Sequence, residues 1–320
     1  MSLWRSGNVR LLVRVAIYLL VITVIFIVRG GFDWRHLLQQ VGSTANADTT
    51  LTLAGGDLAP ELLQRVIAHY QRDYPRIDIQ IQGGGSSHAL EALVNGRADV
   101  AFLNRQPSTQ EQELFQVVDG DAILWYPIAL GSIILLRSES APAAAVTLAD
   151  LENFTRSGSD LPFDHLYVAD PNLGLWDAFR QRLSLPVTTD APASHVIFLQ
   201  DEWEVVAAVG HDAGALGLVS SLTVSLDSPE FQRQKVRSVP VRVEAGGTPA
   251  SADDEEVASG AYPLYHFLYV ASRKHGGIQG AKFVTHLTSD RGQKQIERAG
   301  YVPARLVLRE IYLTRHPVDR

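Results

Sequence analysis

The sequence predicts an α/β fold of two lobes, with a ligand cleft along one edge of the sheet. Three observations lead there. Leu51–Ser108 alternates strand and helix, with a glycine turn at each strand-to-helix step. The 320 residues exceed what one small domain uses and suffice for two lobes. A hydrophobic content of 46% with 20% charged residues supports a packed core rather than a disordered chain.

Leu51–Ala54 is a short apolar strand that Gly55-Gly56-Asp57 turns into a helix. That helix sets Leu58, Leu62, Leu63, Val66, Ile67 and Tyr70 on one face and carries Pro60 in its first turn, where a missing N–H costs little. Tyr74-Pro75 stops it, and Ile77, Ile79 and Ile81 then alternate with polar residues, as in a strand with one buried face. Gly83-Gly84-Gly85-Ser86-Ser87-His88 opens a second helix with Leu90 and Leu93 on one face. Asn95-Gly96 ends it, and Val100–Leu103 is a third strand. Backbone N–H groups, small hydroxyls and helix N-termini thus gather on the side of the sheet where open α/β folds bind ligands.

Ser108 with Glu111 three residues on forms a capping box for a helix running to Val118. Ala122–Leu136, interrupted at Pro127 and Gly131, reads as two strands in line or as one long strand between lobes. Helices over Thr147–Phe154, around Trp176, Phe179 and Leu183, over Glu202–Val209, Gly280–Leu287 and Gln293–Arg298 alternate with strands at Leu166–Ala169, Ala215–Val219 and Tyr262–Ala271. The acidic run Asp253–Glu256 reads as a solvated helix start ahead of a calcium site, because acids favour helix N-termini.

The chain has no cysteine, which excludes disulfides, cysteine metal sites and a lipid-modified cysteine. Residues 1–47 carry five arginines against Asp33, a balance of +4, which leaves −11 for the rest of the −7 total. So acidic a body argues against nucleic-acid binding. Leu11–Val28 is apolar apart from Arg14. Residues 1–29 are read as a cytoplasmic stub and signal-anchor helix, and 30–48 as a tether. Three arginines before the apolar run against two after it keep the N-terminus in the cytoplasm and export the body, giving a single-pass inner-membrane protein. The alternative is a signal cleaved after Ala45-Asn46-Ala47 and a soluble periplasmic body, although that site lies far beyond the apolar run.

Several segments resemble, in order, the phosphate-binding-protein-like (PstS-like) family of bacterial periplasmic solute-binding proteins of ABC transporters. They are the first strand and turn, Gly83–Ser87, Ala98-Asp99-Val100-Ala101-Phe102-Leu103-Asn104-Arg105, Gly214–Val219, Ser259–Leu264, and Gly292-Gln293 with Gly300-Tyr301-Val302-Pro303. The resemblance spans roughly residues 50–305. It implies a type 2-like two-lobe periplasmic-binding-protein fold, with Ala122–Leu136 and Tyr262–Ala271 crossing between lobes. Lobe 1 would be 49–128 plus 268–310, and lobe 2 would be 129–267. It further implies a carrier, not an enzyme, that closes its hinge on phosphate or another oxyanion and presents it to an ABC permease or other membrane protein. No cofactor or metal is expected, and a monomer is. A sensor or interaction protein of the same fold, no longer serving transport, is the alternative.

The candidate ligand residues are Gly56 and Asp57 in the first turn, Gly85, Ser86 and Ser87 in the second, Asn104 and Arg105 after the third strand, and Asn172 and Gly174 in a third loop. Ser86 and Ser87 either donate to an anion or only cap their helix. Arg105 either clamps an anion bidentately or is a surface loop residue. Asp57 departs from the small hydroxyl residue of the family; it either caps its own helix or accepts from an amine or hydroxyl. Leu173-Gly174-Leu175-Trp176 lacks the hydroxyls of the family's Ser-Gly-Thr loop; with Asp57 in the first turn, phosphate binding is expected to be weaker than in a typical family member, or absent. Asn172 reads as a turn residue. Gly84–His88 looks superficially like a nucleophile elbow but lacks the final glycine of G-x-S-x-G, and the ten histidines show no metal spacing.

Overall fold

The computed structural model describes residues 50–113, 122–143, 145–185 and 193–305. The expected signal anchor and tether lie outside the described residues, as does the end, from residue 114, of the helix expected from Ser108 to Val118. Among the described residues no helix is long and apolar enough to cross a membrane.

The first strand, β1 (Thr50–Ala54), leads into α1 (Pro60–Asp73), whose buried face is Leu62, Leu63, Val66, Ile67 and Tyr70. Tyr70 meets Phe283 edge to face at 4.8 Å, joining α1 to a helix from the other end of the chain. Next, β2 (Asp78–Gln82) pairs with β1 in parallel at the sheet edge. There the expected alternation fails, since Ile81 is 51% exposed while Ile77 and Ile79 pack on the core. An edge strand has a neighbour on one side alone, and nothing covers its last isoleucine. Then α2 (Gly85–Val94) buries Ala89, Leu90, Ala92 and Leu93 and returns the chain to β3 (Val100–Leu103), which is buried throughout.

β4 runs unbroken over Ile123–Ser138 through the positions of Pro127 and Gly131. Its antiparallel partner β11 (Tyr265–Arg273) pairs with it from Ile123 to Ser132, with a register shift between Leu268 and Tyr269. The strand begins three residues later than expected, but Tyr262 is fully buried and its hydroxyl donates to the Ile133 carbonyl at 2.8 Å. The far half of β4 pairs with β8 (Ala215–Ser220), which continues in parallel to β6 (His165–Ala169) and β7 (Val196–Leu199). The sheet order is therefore β2-β1-β3-β11-β4-β8-β6-β7, with β9 (Val236–Ser238) and β12 (Val302–Pro303) also pairing with β4, while β5 (Val146–Thr147) pairs apart with β10 (Val241–Arg242). One lobe lies on each side of the β11–β4 pair, each with its own core, around Leu53, Phe102 and Phe283 and around Phe154, Phe179 and Val206.

Several helices pack on the second lobe. The first, α3 (Leu148–Ser157), is opened by a complete capping box between Thr147 and Asp150. The next, α4 (Leu175–Arg182), buries Trp176 and Phe179; α5 (Glu202–His211) is capped by Asp201. A single turn, α6 (Pro229–Gln232), precedes α7 (Asp254–Ala258). Asp253 caps α7 by accepting the Glu256 N–H, so the acidic run is a helix start. Finally α8 (Ile278–Thr288) and α9 (Asp290–Arg298) return to the first lobe and pack on α1.

Gly131 sits where β4 passes between lobes. A Cβ there would lie 2.6 Å from Leu222 Cγ and 3.2 Å from His266 Nε2. Gly131→Ala should therefore overpack the crossing and lower stability by about 1–3 kcal/mol, read by chemical denaturation.

Candidate functional site

The three strand-to-helix loops meet at the junction of the lobes. Gly84 and Gly85 both have positive φ, +109° and +66°, so their N–H groups turn outward ahead of α2. The conformation suits glycine, and space forbids anything larger, because a Cβ on Gly85 would lie 2.6 Å from the Asn172 carbonyl oxygen. Asp57 faces these groups. Its Oδ2 accepts the Gly84 N–H at 2.9 Å and its Oδ1 the Gly85 N–H at 3.2 Å. Asp57 does not cap its own helix, since Ala59 stands at the N-cap of α1 with no side-chain bond. Gly56 has a scaffolding role, its N–H donating to the Gln82 carbonyl at 3.0 Å and tying the turn to β2.

Ser86 is fully buried. Its hydroxyl accepts the Asn104 N–H at 2.9 Å and donates to the Leu173 carbonyl of the other lobe at 3.0 Å. Asn104 is 1% exposed; its Nδ2 also reaches the Leu173 carbonyl, at 3.4 Å, while its Oδ1 has no partner. Gly174 permits this approach, for a Cβ there would stand 2.6 Å from Ser86 Oγ. Asn172 is exposed, and its N–H donates to Asp170 Oδ1 in a local turn; it contributes backbone to the site.

Arg105 sits among two carboxylates and a serine, with its Nε making no hydrogen bond. It donates to both carboxylate oxygens of Glu111 at 2.8 Å, approaches Asp177 of α4 with Nε at 3.2 Å, and reaches Ser87 Oγ at 3.5 Å. Burial works against its charge, but the Glu111 bonds and the two carboxylates outweigh that and hold the guanidinium above its ordinary value. Burial likewise opposes charge on Glu111, yet the Arg105 and Ser108 bonds bring it below the usual carboxylate range. Asp177 is raised by burial despite Arg105 and Arg180. Beside this cluster is a cavity of about 740 Å³ walled by side chains such as Gln106, Gln110, Glu111 and Gln181.

Behind the site runs a buried polar chain that the sequence did not reveal. Glu202 is 3% exposed and its Oε2 accepts the Ser220 N–H at 2.7 Å. The Ser220 hydroxyl shares a 2.7 Å hydrogen bond with His266 Nε2 on β11. Burial raises Glu202 to about 8, against the Ser220 and Thr223 bonds and aided by Asp201. Burial lowers His266 to about 4, against the Asn104 backbone and aided by Arg182.

With this geometry, kinship becomes readable. A family model described as a PBP superfamily domain matches residues 41–291. The chain belongs to the PBP superfamily. Among curated relatives, the phosphate-binding protein PstS of Pseudomonas aeruginosa is 22% identical over 279 residues, covering 83% of this chain and 86% of the relative. Two solved structures share the fold. A candidate phosphate ABC transporter substrate-binding protein from Clostridium perfringens, with bound phosphate, has a TM-score of 0.63 at 15% identity, covering 80% of this chain and 99% of the other. An ABC-type phosphate transport receptor from Vibrio cholerae has 0.62 at 17%, covering 79% and 99%. The two-lobe α/β PBP fold expected from the sequence is thereby established. Within that superfamily these relatives are phosphate-binding proteins by name, and the likeness to the two solved structures is one of fold.

A neutral Glu202 stabilises this PBP fully below its ordinary value of 4.5, and that contribution is lost as pH rises through about 8. Thermal melts of Glu202→Gln and wild type should therefore diverge from about pH 5 to about pH 9, with the variant gaining relative stability as pH rises.

Proposed function

We propose that the chain is the extracytoplasmic solute-binding component of an ABC-type uptake system, tethered to the membrane by residues 1–48. Its solute is phosphate or a related oxyanion, held between lobes divided near 128/129 and 267/268 and presented to a permease by a monomer. The observation that carries this reading is the Gly84–Gly85 pair, whose N–H groups at the α2 N-terminus already hold a carboxylate. Ser86, Ser87 and Arg105 stand alongside as further donors. The relatives support the same solute class, since PstS of Pseudomonas aeruginosa is named for phosphate and the Clostridium perfringens structure contains it.

One observation favours a second reading, in which the fold serves as a sensor or interaction protein without transport. Asp57, Leu173, Glu111 and Asp177 already occupy the donors that an oxyanion would use. A co-purifying small anion supports the first reading, and a co-purifying protein partner with no solute supports the second.

Calorimetry of the full-length protein in detergent tests the solute. Phosphate should bind more weakly than micromolar, which corresponds to about −8 kcal/mol. Arg105→Ala should weaken it further, and Arg105→Lys should recover part, because lysine lacks the planar fork. Arg97→Ala is the control, its exposed pair with Glu91 lying outside the site. Failure of phosphate and sulfate to bind at millimolar concentration overturns the oxyanion reading. For the tether, the protein should stay in the membrane fraction after alkaline extraction; a mature N-terminus at Asp48 on a soluble protein overturns it.

A further inference from the structure

The anion-holding groups of the cleft carry internal partners, and on the Gly84–Gly85 pair that partner is itself an anion. Asp57 is exposed and reaches across from the β1 turn to the loop before α2. Its two oxygens take the two outward N–H groups of Gly84 and Gly85, where backbone donors and the helix dipole converge. It leaves its own helix uncapped to do so. A solute oxyanion seeking the same N–H groups meets a carboxylate already in place. One residue along α2 from Gly85, the Ser86 hydroxyl accepts the N–H of the buried Asn104, whose Oδ1 has no partner while its Nδ2 faces the Leu173 carbonyl, so the loop holds an acceptor whose hydrogen bond is unmade.

We infer that Asp57 is a tethered competitor that occupies the oxyanion subsite and sets the affinity of the cleft. The inference rests on the oxyanion reading for the identity of the solute, while the placement of Asp57 stands independently. A ligand on a short tether acts at an effective concentration on the order of millimolar, so it weakens a competing solute by the ratio of that concentration to its own dissociation constant, whatever the solute's intrinsic affinity. The competing explanation is a structural latch between the two loops, since Gly83 also lies close to the Asp57 carboxylate. A latch is indifferent to added anions; a competitor exchanges with them.

The test titrates phosphate into full-length wild type, Asp57→Ser and Asp57→Asn. The amide signals of Gly84 and Gly85 are followed by NMR in glycine-labelled protein. Because Asp57 is exposed, both variants are expected to fold. Asp57→Ser, which removes the charge and shortens the side chain, should bind phosphate at least about tenfold tighter than wild type. Asp57→Asn should fall between, as its carbonyl can still accept one N–H without the charge. The two amide signals should move in Asp57→Ser and return toward their wild-type positions as phosphate is added. Equal phosphate affinity in wild type and Asp57→Ser overturns the inference and leaves the oxyanion reading intact. If no form binds phosphate, the oxyanion reading falls and the amides decide alone. Unchanged signals in Asp57→Ser then overturn the competitor, and shifted signals that respond to added formate uphold it.

Discussion

The antiparallel ladder between β4 and β11 is the constraint on which the molecule depends. From Ile123 to Ser132 on one strand and Arg273 to Tyr265 on the other, it is the seam from which both halves of the sheet grow. The β3 side packs around two apolar clusters and the β8 side around a third. The seam admits little change in volume, because Gly131, Leu222 and His266 touch where the lobes meet. It also carries the buried Glu202–Ser220–His266 chain, whose groups sit where charging is unfavourable. Packing and electrostatics thus bear on the same few residues.

The cleft follows from simple accounting of donors and acceptors. Backbone N–H groups at a helix start need a partner, and a buried hydroxyl needs one too. Where a hydroxyl-rich third loop would supply donors, this chain has Leu173-Gly174-Leu175 and presents a carbonyl instead. Ser86 turns its hydroxyl to that carbonyl, and Asn104 adds its amide. Arg105, set among Glu111 and Asp177, is neutralised by the fork geometry that would suit an oxyanion. The result is a cluster of donors matched by acceptors from this chain itself.

Local pattern made much of this legible. The face of α1, the Thr147 and Ser108 caps and the glycine turns depend on residues three or four apart, and the structure reproduces them. Gly85, Ser86, Asn104, Arg105 and Gly174 do come together, as their positions after strands or before helices implied. What stayed hidden depends on partners far along the chain. Asp57 bonds 27 and 28 residues away, Ser86 reaches 87 residues to Leu173, and that partner is a backbone carbonyl, which no residue type announces. Glu202 reads in sequence as an acid in a first turn, and its burial comes from β8 and β11 folding over it. Ile81 misled for the same reason in reverse, since alternation says which way a side chain points and not whether anything lies there.

The bond from Ser86 to Leu173 has a consequence for communication. In a two-lobed carrier, the shape of the joined lobes is what a membrane partner can feel from outside, and joining ordinarily announces that cargo is aboard. Here Ser86, Asn104 and Arg105 bridge to the opposite lobe through Leu173 and Asp177. The link between the lobes thus runs through the same polar groups that a solute would have to address. A change in what those groups hold is at once a change in how the lobes are joined.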